Sequence, residues 1–237
     1  MANLGEVIVL AGGKGTRLQS ITKDIPKPMV DINGKPFLSY LMNYLKIQNI
    51  NRVLLSVGYK HQAIIDYFGL EYRGLAIEYV VEEEALGTGG AINEALKRTE
   101  KDDIFVLNGD TFFPLNLEEL RNFHCSEHSL LTIAIKLMYN FERYGSIILK
   151  GNKIIGFEEK SFKEKGYING GIYIMKRAVM DFFPPEKAFS FENFLEKNID
   201  KINPFAFISN DYFIDIGIPE DYKKAGQELN GYFKNTP

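Results

Sequence analysis

Apolar and polar positions along the 237-residue chain fall into two regimes. Up to about residue 128, short continuous apolar runs alternate with segments of helical period. The run "EVIVLA" (6–11) has no polar alternation, so it predicts a strand buried on both faces, as central parallel strands are. "RVLLSVG" (52–58), "LAIEYVVE" (75–82) and "IFVLNGD" (104–110) predict three more strands. Between them lie helical patterns at 36–49, 61–69, 87–99 and 116–127. Pro36 suits a first turn, Gly69 a helix end and Asn116 an N-cap. This order predicts right-handed crossovers and a sheet covered by helices on both faces.

After residue 128 the pattern changes to strands at 129–138, 144–150, 153–159 and 167–175. Short helices are expected near 176–182 and 190–199, then a strand at 211–217. Pro219 suits the start of a last helix. No internal repeat or long linker separates the halves. The expectation is one domain over 1–237, with residues 1–128 as a nucleotide-binding half and 129–237 as a smaller α+β half continuing the same sheet.

Composition narrows the chemistry. The chain carries 28 Lys and Arg against 31 Asp and Glu, a net charge of −3. No global basic field draws it to nucleic acid, so an anionic ligand must be held by local cations and backbone amides. The single cysteine, Cys125, excludes an intrachain disulfide and a cysteine-based zinc cluster. No charged-then-apolar leader and no apolar run of about 20 residues is present, which predicts a cytoplasmic protein without a membrane span.

Candidate chemistry begins where the first strand ends, in "LAGGKGTRL" (10–18). Gly12, Gly13 and Gly15 strip side chains from the turn, so backbone N–H groups can approach a ligand closely. Two phosphate motifs do not fit. G-x4-G-K-[ST] has no register here, and Leu18 stands where G-x-G-x-x-G needs its third glycine. That makes a dinucleotide-binding dehydrogenase a poor reading, and an ordinary tight turn remains the plain alternative. Arg17 and Lys27 change the balance. Arginine offers a planar fork for phosphate oxygens and lysine a point charge. Pro26 and Pro28 fix φ on either side of Lys27, which stiffens the backbone carrying that cation.

"LAGGKGTRL" followed by "PKPM" resembles the signature of the sugar-1-phosphate nucleotidyltransferases. The resemblance continues in order through "LGTGGA", "NGD", "RYG", "EEK", "NGGIYIM" and "DIGIPEDY". It implies a Rossmann-like, mixed and mostly parallel sheet sandwiched by helices, with a small α+β sugar-binding part. It also implies attack by a sugar-1-phosphate oxygen on the α-phosphorus of a nucleoside triphosphate, releasing pyrophosphate. Within the family, "LGTGGA" with "YFIDIGIPEDY" points to GTP and a manno-configured heptose 1-phosphate, for surface polysaccharide synthesis. The alternatives are UTP or CTP with a hexose or amino-sugar phosphate, or a relative that only senses a nucleotide sugar.

Residue by residue, the resemblance places Leu10, Ala11, Gly12 and Gly13 beside base and ribose. It places Gly15, Thr16 and Arg17 at the triphosphate, with Arg17 on the leaving pyrophosphate. Lys27 resembles the lysine bridging the phosphates. Gly87 and Thr88 match a second loop at the base. Asp110 and Asp215 match two Mg²⁺-binding acids. Gly145, Glu159, Asn169 and Gly171 match a sugar pocket, and Lys160 the cation on the sugar phosphate. "EEKS" stands where many relatives have "EKP", which leaves Glu158 and Glu159 both open as the sugar-facing acid. "DYFID" carries Tyr212 and Phe213 where many relatives have Trp.

Each residue also has a plainer reading. Asp110 and Asp215 could be turn acids, "FEEK" a solvated strand edge and "NGG" a bulge. Glu82, Glu83 and Glu84 read as a solvated loop. His124 and His128, four apart, lack the companion ligands of a zinc motif, and His61 reads as a surface residue near a helix start. No acyltransferase repeat domain of the kind some relatives carry is expected, and a homodimer is one assembly open to the chain.

Overall fold

The computed structural model describes residues 4–13, 15 and 25–232. Thr16 and Arg17 therefore lie outside the described residues. The first strand, β1 (Gly5–Leu10), is central to the main sheet, whereas the next two, β2 (Asp31–Ile32) and β3 (Lys35–Pro36), pair with each other in a separate two-stranded sheet. β4 (Ile50–Val57) pairs with β1 in parallel on one side and β7 (Asp103–Asn108) on the other. β6 (Leu75–Val81) pairs in parallel with β4. A two-residue strand, β5 (Glu71–Tyr72), ends the sheet beyond β6. The strand order thus reverses at β1 and β7, and such a reversal opens a crevice at the carboxyl ends of the strands.

Alternation along these strands feeds two cores. Val7, Val9, Val53, Leu55, Phe105 and Leu107 face one cluster. Ile8, Leu54, Ile104 and Val106 face the other. The first face is covered by α1 (Phe37–Ile47), α2 (His61–Phe68), α4 (Leu117–Ser126) and α6 (Pro219–Tyr232). The second is covered by α3 (Gly87–Leu96) and α5 (Phe191–Ile202). Local signals explain several ends. Asn116 caps α4, its side chain accepting from the N–H groups of Glu118 and Glu119. Gly69 closes α2 at φ 59°.

The second half joins through β12 (Lys163–Lys176), which runs antiparallel to β7 and to β9 (Leu131–Phe141). One ten-stranded mixed sheet results, ending in β11 (Lys153–Glu158) and β10 (Ser146–Lys150). Two features depart from the sequence expectation. Residues 205–209 were expected to lie between elements, yet β13 (Phe205–Ser209) inserts between β9 and β11, parallel to β9. Its exposed Ile208 and buried Ser209 invert the apolar-in, polar-out order, so its sequence does not read as an interior strand. The strand expected at 211–217 shrinks to β14 (Ile214–Asp215), which pairs instead with β8 (Thr111–Phe112) in a separate two-stranded sheet. Among the described residues no helix is long and apolar enough to cross a membrane.

His124 is wholly buried, with Nδ1 2.9 Å from Thr132 Oγ1, and His128 has left the helix at φ 48°. The two histidines therefore do not share a helix face. Among the described residues no cluster of three or more His, Cys, Asp and Glu side chains forms.

At the opposite end of the sheet from the crevice, Glu6 is 5% exposed and hydrogen-bonded to Arg52. It also accepts from the N–H groups of Glu100 (2.8 Å) and Lys101 (3.4 Å). Burial acts to raise its carboxyl, but these donors and the guanidinium outweigh burial and hold it below the ordinary 4.5. A depressed folded-state value means stability present above that pH and lost as pH falls through the folded value. Glu6→Gln is expected to cost about 2 kcal/mol at pH 7, and the gap between variant and parent should narrow in urea unfolding curves as pH falls below the ordinary 4.5 and through the lower folded value. Gly87 sits at φ 68°, and a Cβ there would lie 2.6 Å from the Phe189 carbonyl oxygen. Gly87→Ala should lower stability by about 2 kcal/mol, read as a reduced thermal midpoint.

Candidate functional site

The crevice predicted by the strand reversal is a cavity of about 930 Å³ lined by residues from the ends of β1, β4, β6 and β7. Two central loops are fastened together there. Gly109 N–H donates to the Leu10 carbonyl at 2.9 Å, and a Cβ on Gly109 would lie 2.7 Å from that oxygen. The "NGD" turn can follow β7 this closely only because its middle residue has no side chain.

Asp110 follows directly and is brought to Asp215 by the small sheet. Asp215 pairs with Thr111, and Ile216 N–H donates to the Asp110 carbonyl at 3.1 Å. Residues more than a hundred positions apart thereby share one corner of the cavity. Lys27 completes it. Pro26 holds φ at −65° and Lys27–Met29 form a 3-10 turn with Pro28 buried. Lys27 Nζ lies 2.5 Å from Asp110 Oδ2 and 3.6 Å from Asp215 Oδ1. Gly15, at φ 61°, passes so near the lysine stem that a Cβ would lie 2.8 Å from Lys27 Cβ.

Burial, and next the neighbouring Asp110 carboxylate, push the Asp215 carboxyl above its ordinary 3.8; Lys27, Arg143 and the Gly217 backbone pull the other way. Asp215 Oδ1 is buried without a hydrogen-bond partner. A carboxylate oxygen in that state is a ready ligand for a further cation. Arg143 is hydrogen-bonded to Asp221 on α6 and stacks 5.3 Å from the Tyr144 ring.

Leu10, Ala11, Gly12, Gly13, Gly15, Lys27, Gly87, Thr88, Asp110 and Asp215 all line this cavity. The expected sugar-side residues do not. Asn169 donates to the Tyr173 hydroxyl and accepts from Gly171 N–H, at the register shift in β12. Gly171, at φ 72°, packs against Asn108, which does line the cavity. A Cβ on Gly145 would lie 2.8 Å from the Glu158 carbonyl oxygen. Glu158 is bonded to Ser146 and to Lys163, whereas Glu159 and Lys160 are exposed outside the cavity.

Thr88 is held from the other half. Its hydroxyl donates to Glu192 at 2.9 Å and accepts from Phe191 N–H at 2.9 Å. The acidic run is not a plain solvated loop. Glu82 accepts from Ser56 Oγ at 3.1 Å and from Leu86 N–H at 3.2 Å, and lies where a Cβ on Gly12 would be 2.4 Å from its Oε1. Glu83, Glu84, Tyr59 and His61 line the same wall. His61 opens α2 as expected, with its ring nitrogen 3.1 Å from the Gly58 carbonyl, but it faces the cavity. The sequence signal for this wall was the rule that ligands gather at strand carboxyl ends, applied to β4 and β6 as well as to β1 and β7.

Comparison with known proteins identifies the family. Residues 6–231 match the family model described as Nucleotidyl transferase. The chain is 46% identical over 228 residues to D-glycero-alpha-D-manno-heptose 1-phosphate guanylyltransferase of Aneurinibacillus thermoaerophilus, covering 96% of this chain and 99% of that protein. It is 49% identical over 218 residues to the protein of the same name from Campylobacter jejuni, covering 92% and 96%. Its fold superposes on HddC from Yersinia pseudotuberculosis with a TM-score of 0.84 at 39% identity, over 94% of this chain and 99% of that one. That protein has also been solved complexed with GMP-PN. With a family model spanning nearly all of it and such relatives aligned end to end, this chain belongs to the nucleotidyl transferase family.

Proposed function

We propose that this protein transfers the guanylyl group of GTP to D-glycero-α-D-manno-heptose 1-phosphate. The products are a nucleotide-activated heptose, destined for surface polysaccharide, and pyrophosphate. The observation that carries the reading is the Lys27–Asp110–Asp215 cluster at one corner of a glycine-walled cavity of about 930 Å³. The heptose-specific guanylyltransferases at 46% and 49% identity support the choice of both substrates.

The chemistry asks little of proton transfer. A phosphate monoester's second pKa is about 6, so the attacking oxygen is already an anion at neutral pH. It forms a bond to the α-phosphorus, the α–β phosphoanhydride bond breaks, and pyrophosphate leaves with the electron pair. What limits the rate is bringing two anions together and stabilising charge on the leaving group. Lys27, stiffened by two prolines, supplies a fixed positive charge at that point. The glycines at 12, 13 and 15 let backbone donors approach phosphate oxygens. Arg17, outside the described residues, is assigned to the leaving pyrophosphate by resemblance.

Asp110 and Asp215 fit a Mg²⁺ ion. Magnesium takes one or two carboxylates together with phosphate oxygens and water. Asp215 Oδ1 is a buried oxygen in want of a partner. When bound, the ion would neutralise phosphate charge and polarise phosphoryl oxygens. Asn169, Gly171 and Gly145 are assigned to the sugar, with Glu159 and Lys160 reaching it from the exposed 158–162 segment.

Purified protein with Mg²⁺, GTP and the heptose 1-phosphate should release pyrophosphate. ATP, UTP and CTP should each react at least about 100-fold more slowly, the discrimination a site gains by leaving buried polar groups unpaired with the wrong base. No pyrophosphate from any nucleoside triphosphate across a broad panel of sugar 1-phosphates would falsify the assignment. Lys27→Ala and Arg17→Ala should each lower kcat by about 10²- to 10³-fold with circular dichroism close to the parent's. If either variant keeps full turnover, the role given to that cation is wrong.

A further inference from the structure

Among the described residues, the cavity that is to receive a triphosphate carries more acids than cations. Among its described residues, Glu82, Glu83, Glu84, Asp110 and Asp215 face a single lysine, Lys27. That lysine is committed to the two aspartates. Its side chain is 12% exposed, with Nζ 2.5 Å from Asp110 Oδ2 and 3.6 Å from Asp215 Oδ1. Asp215 Oδ1, with no hydrogen-bond partner, has this ammonium as its cation. Two carboxylates this close need a counter-ion, since breaking a partly buried ion pair leaves uncompensated charge.

We infer that Lys27 is the resident counter-ion of the Asp110–Asp215 pair, and that a divalent cation and the Lys27 ammonium compete for those two carboxylates. The inference rests on the proposed reading that the pair holds the metal. Its consequence is a binding order. Metal alone binds weakly, because it must evict an ammonium already in place. Nucleotide phosphates offer that ammonium another anionic partner, so metal and nucleotide enter together. The binding couples both ways, each raising the affinity for the other by the same factor.

The local structure allows such an exchange. The Lys27 stem is fixed by Pro26, Pro28 and the close pass of Gly15. The ammonium is the end of a flexible four-carbon chain with rotatable donors. The head can move from carboxylate to phosphate while the backbone stays. An arginine in the same place would hold a carboxylate in a rigid fork and exchange less readily.

The test is Mn²⁺ binding to the full chain without nucleotide or sugar, followed by electron paramagnetic resonance. Lys27→Met keeps most of the stem and removes the charge. It should tighten Mn²⁺ binding on the order of 10-fold or more, as expected when a unit charge is removed from contact distance. Arg143→Met is the control. Arg143 is ion-paired with Asp221 and acts on Asp215 only through longer-range charge, so it should shift the affinity far less. A folded Lys27→Met protein with parental Mn²⁺ affinity overturns the inference. So does an equal shift in Arg143→Met, which would mean bulk electrostatics.

Should Lys27→Met fail to fold, the parent protein decides the matter. Saturating Mg²⁺ alone should increase reductive methylation of Lys27 measured by peptide mass spectrometry, and unchanged labelling overturns the inference. Turnover of GTP and heptose phosphate with flat metal affinity would leave the proposed function standing without this binding order. Lysine displacement by metal without turnover would do the reverse.

Discussion

The bond from Gly109 N–H to the Leu10 carbonyl joins the ends of the two innermost strands, and the placement of the site follows from it. β1 and β7 lie where the strand order reverses, so their loops turn into the same crevice instead of lying over a helix. One loop brings glycines and the other an acid. Because Gly109 has no Cβ, the two loops come within one hydrogen bond of each other. Asp110 is then beside the glycine wall, and the short β8–β14 pairing needs only two residues per strand to add Asp215. Long-range order thus rests on a backbone contact that any side chain at 109 would obstruct.

The central strands were legible because burial on both faces leaves nothing polar in "VIVL" or "IFVL", and runs this short, bounded by turn residues, favour a strand over a buried helix. Lys27 was legible for a related reason. Two prolines around one cation is a local statement about stiffness that needs no tertiary information. The pairing of Asp110 with Asp215 could be reached only through resemblance, because the β8–β14 contact has no signature in two isolated residues. Glu82 was misread. In "EEE" it looks like its solvated neighbours, and its half-buried position arises from Ser56 below it, Leu86 beside it and the missing side chain of Gly12 opposite. None of those three is near it in sequence except Leu86. The positions assigned to the sugar are motifs in the sequence that form no shared pocket here, because Asn169 and Gly171 are engaged within β12 and Glu159 and Lys160 are exposed.

The two halves of the chain are also bound at the second ligand-facing loop. Thr88 at the start of α3 is held by Glu192 and Phe191 at the start of α5, and the glycines at 87, 89 and 90 leave room for the 187–189 backbone and the Phe189 ring. A helix N-terminus in the first half therefore takes its position from a segment a hundred residues later. Movement of α5 would be felt directly at the cavity wall, since Gly87 and Thr88 are part of it.

β13 has a consequence for how the molecule is made. It occupies an interior slot, between β9 and β11, yet it follows both of them in the chain. Until residues 205–209 have emerged from the ribosome, β9 and β11 each present an open edge of unpaired backbone groups. Such edges recruit other strands. A delay between the synthesis of β11 and that of β13 therefore exposes a template for self-association that the complete sheet conceals.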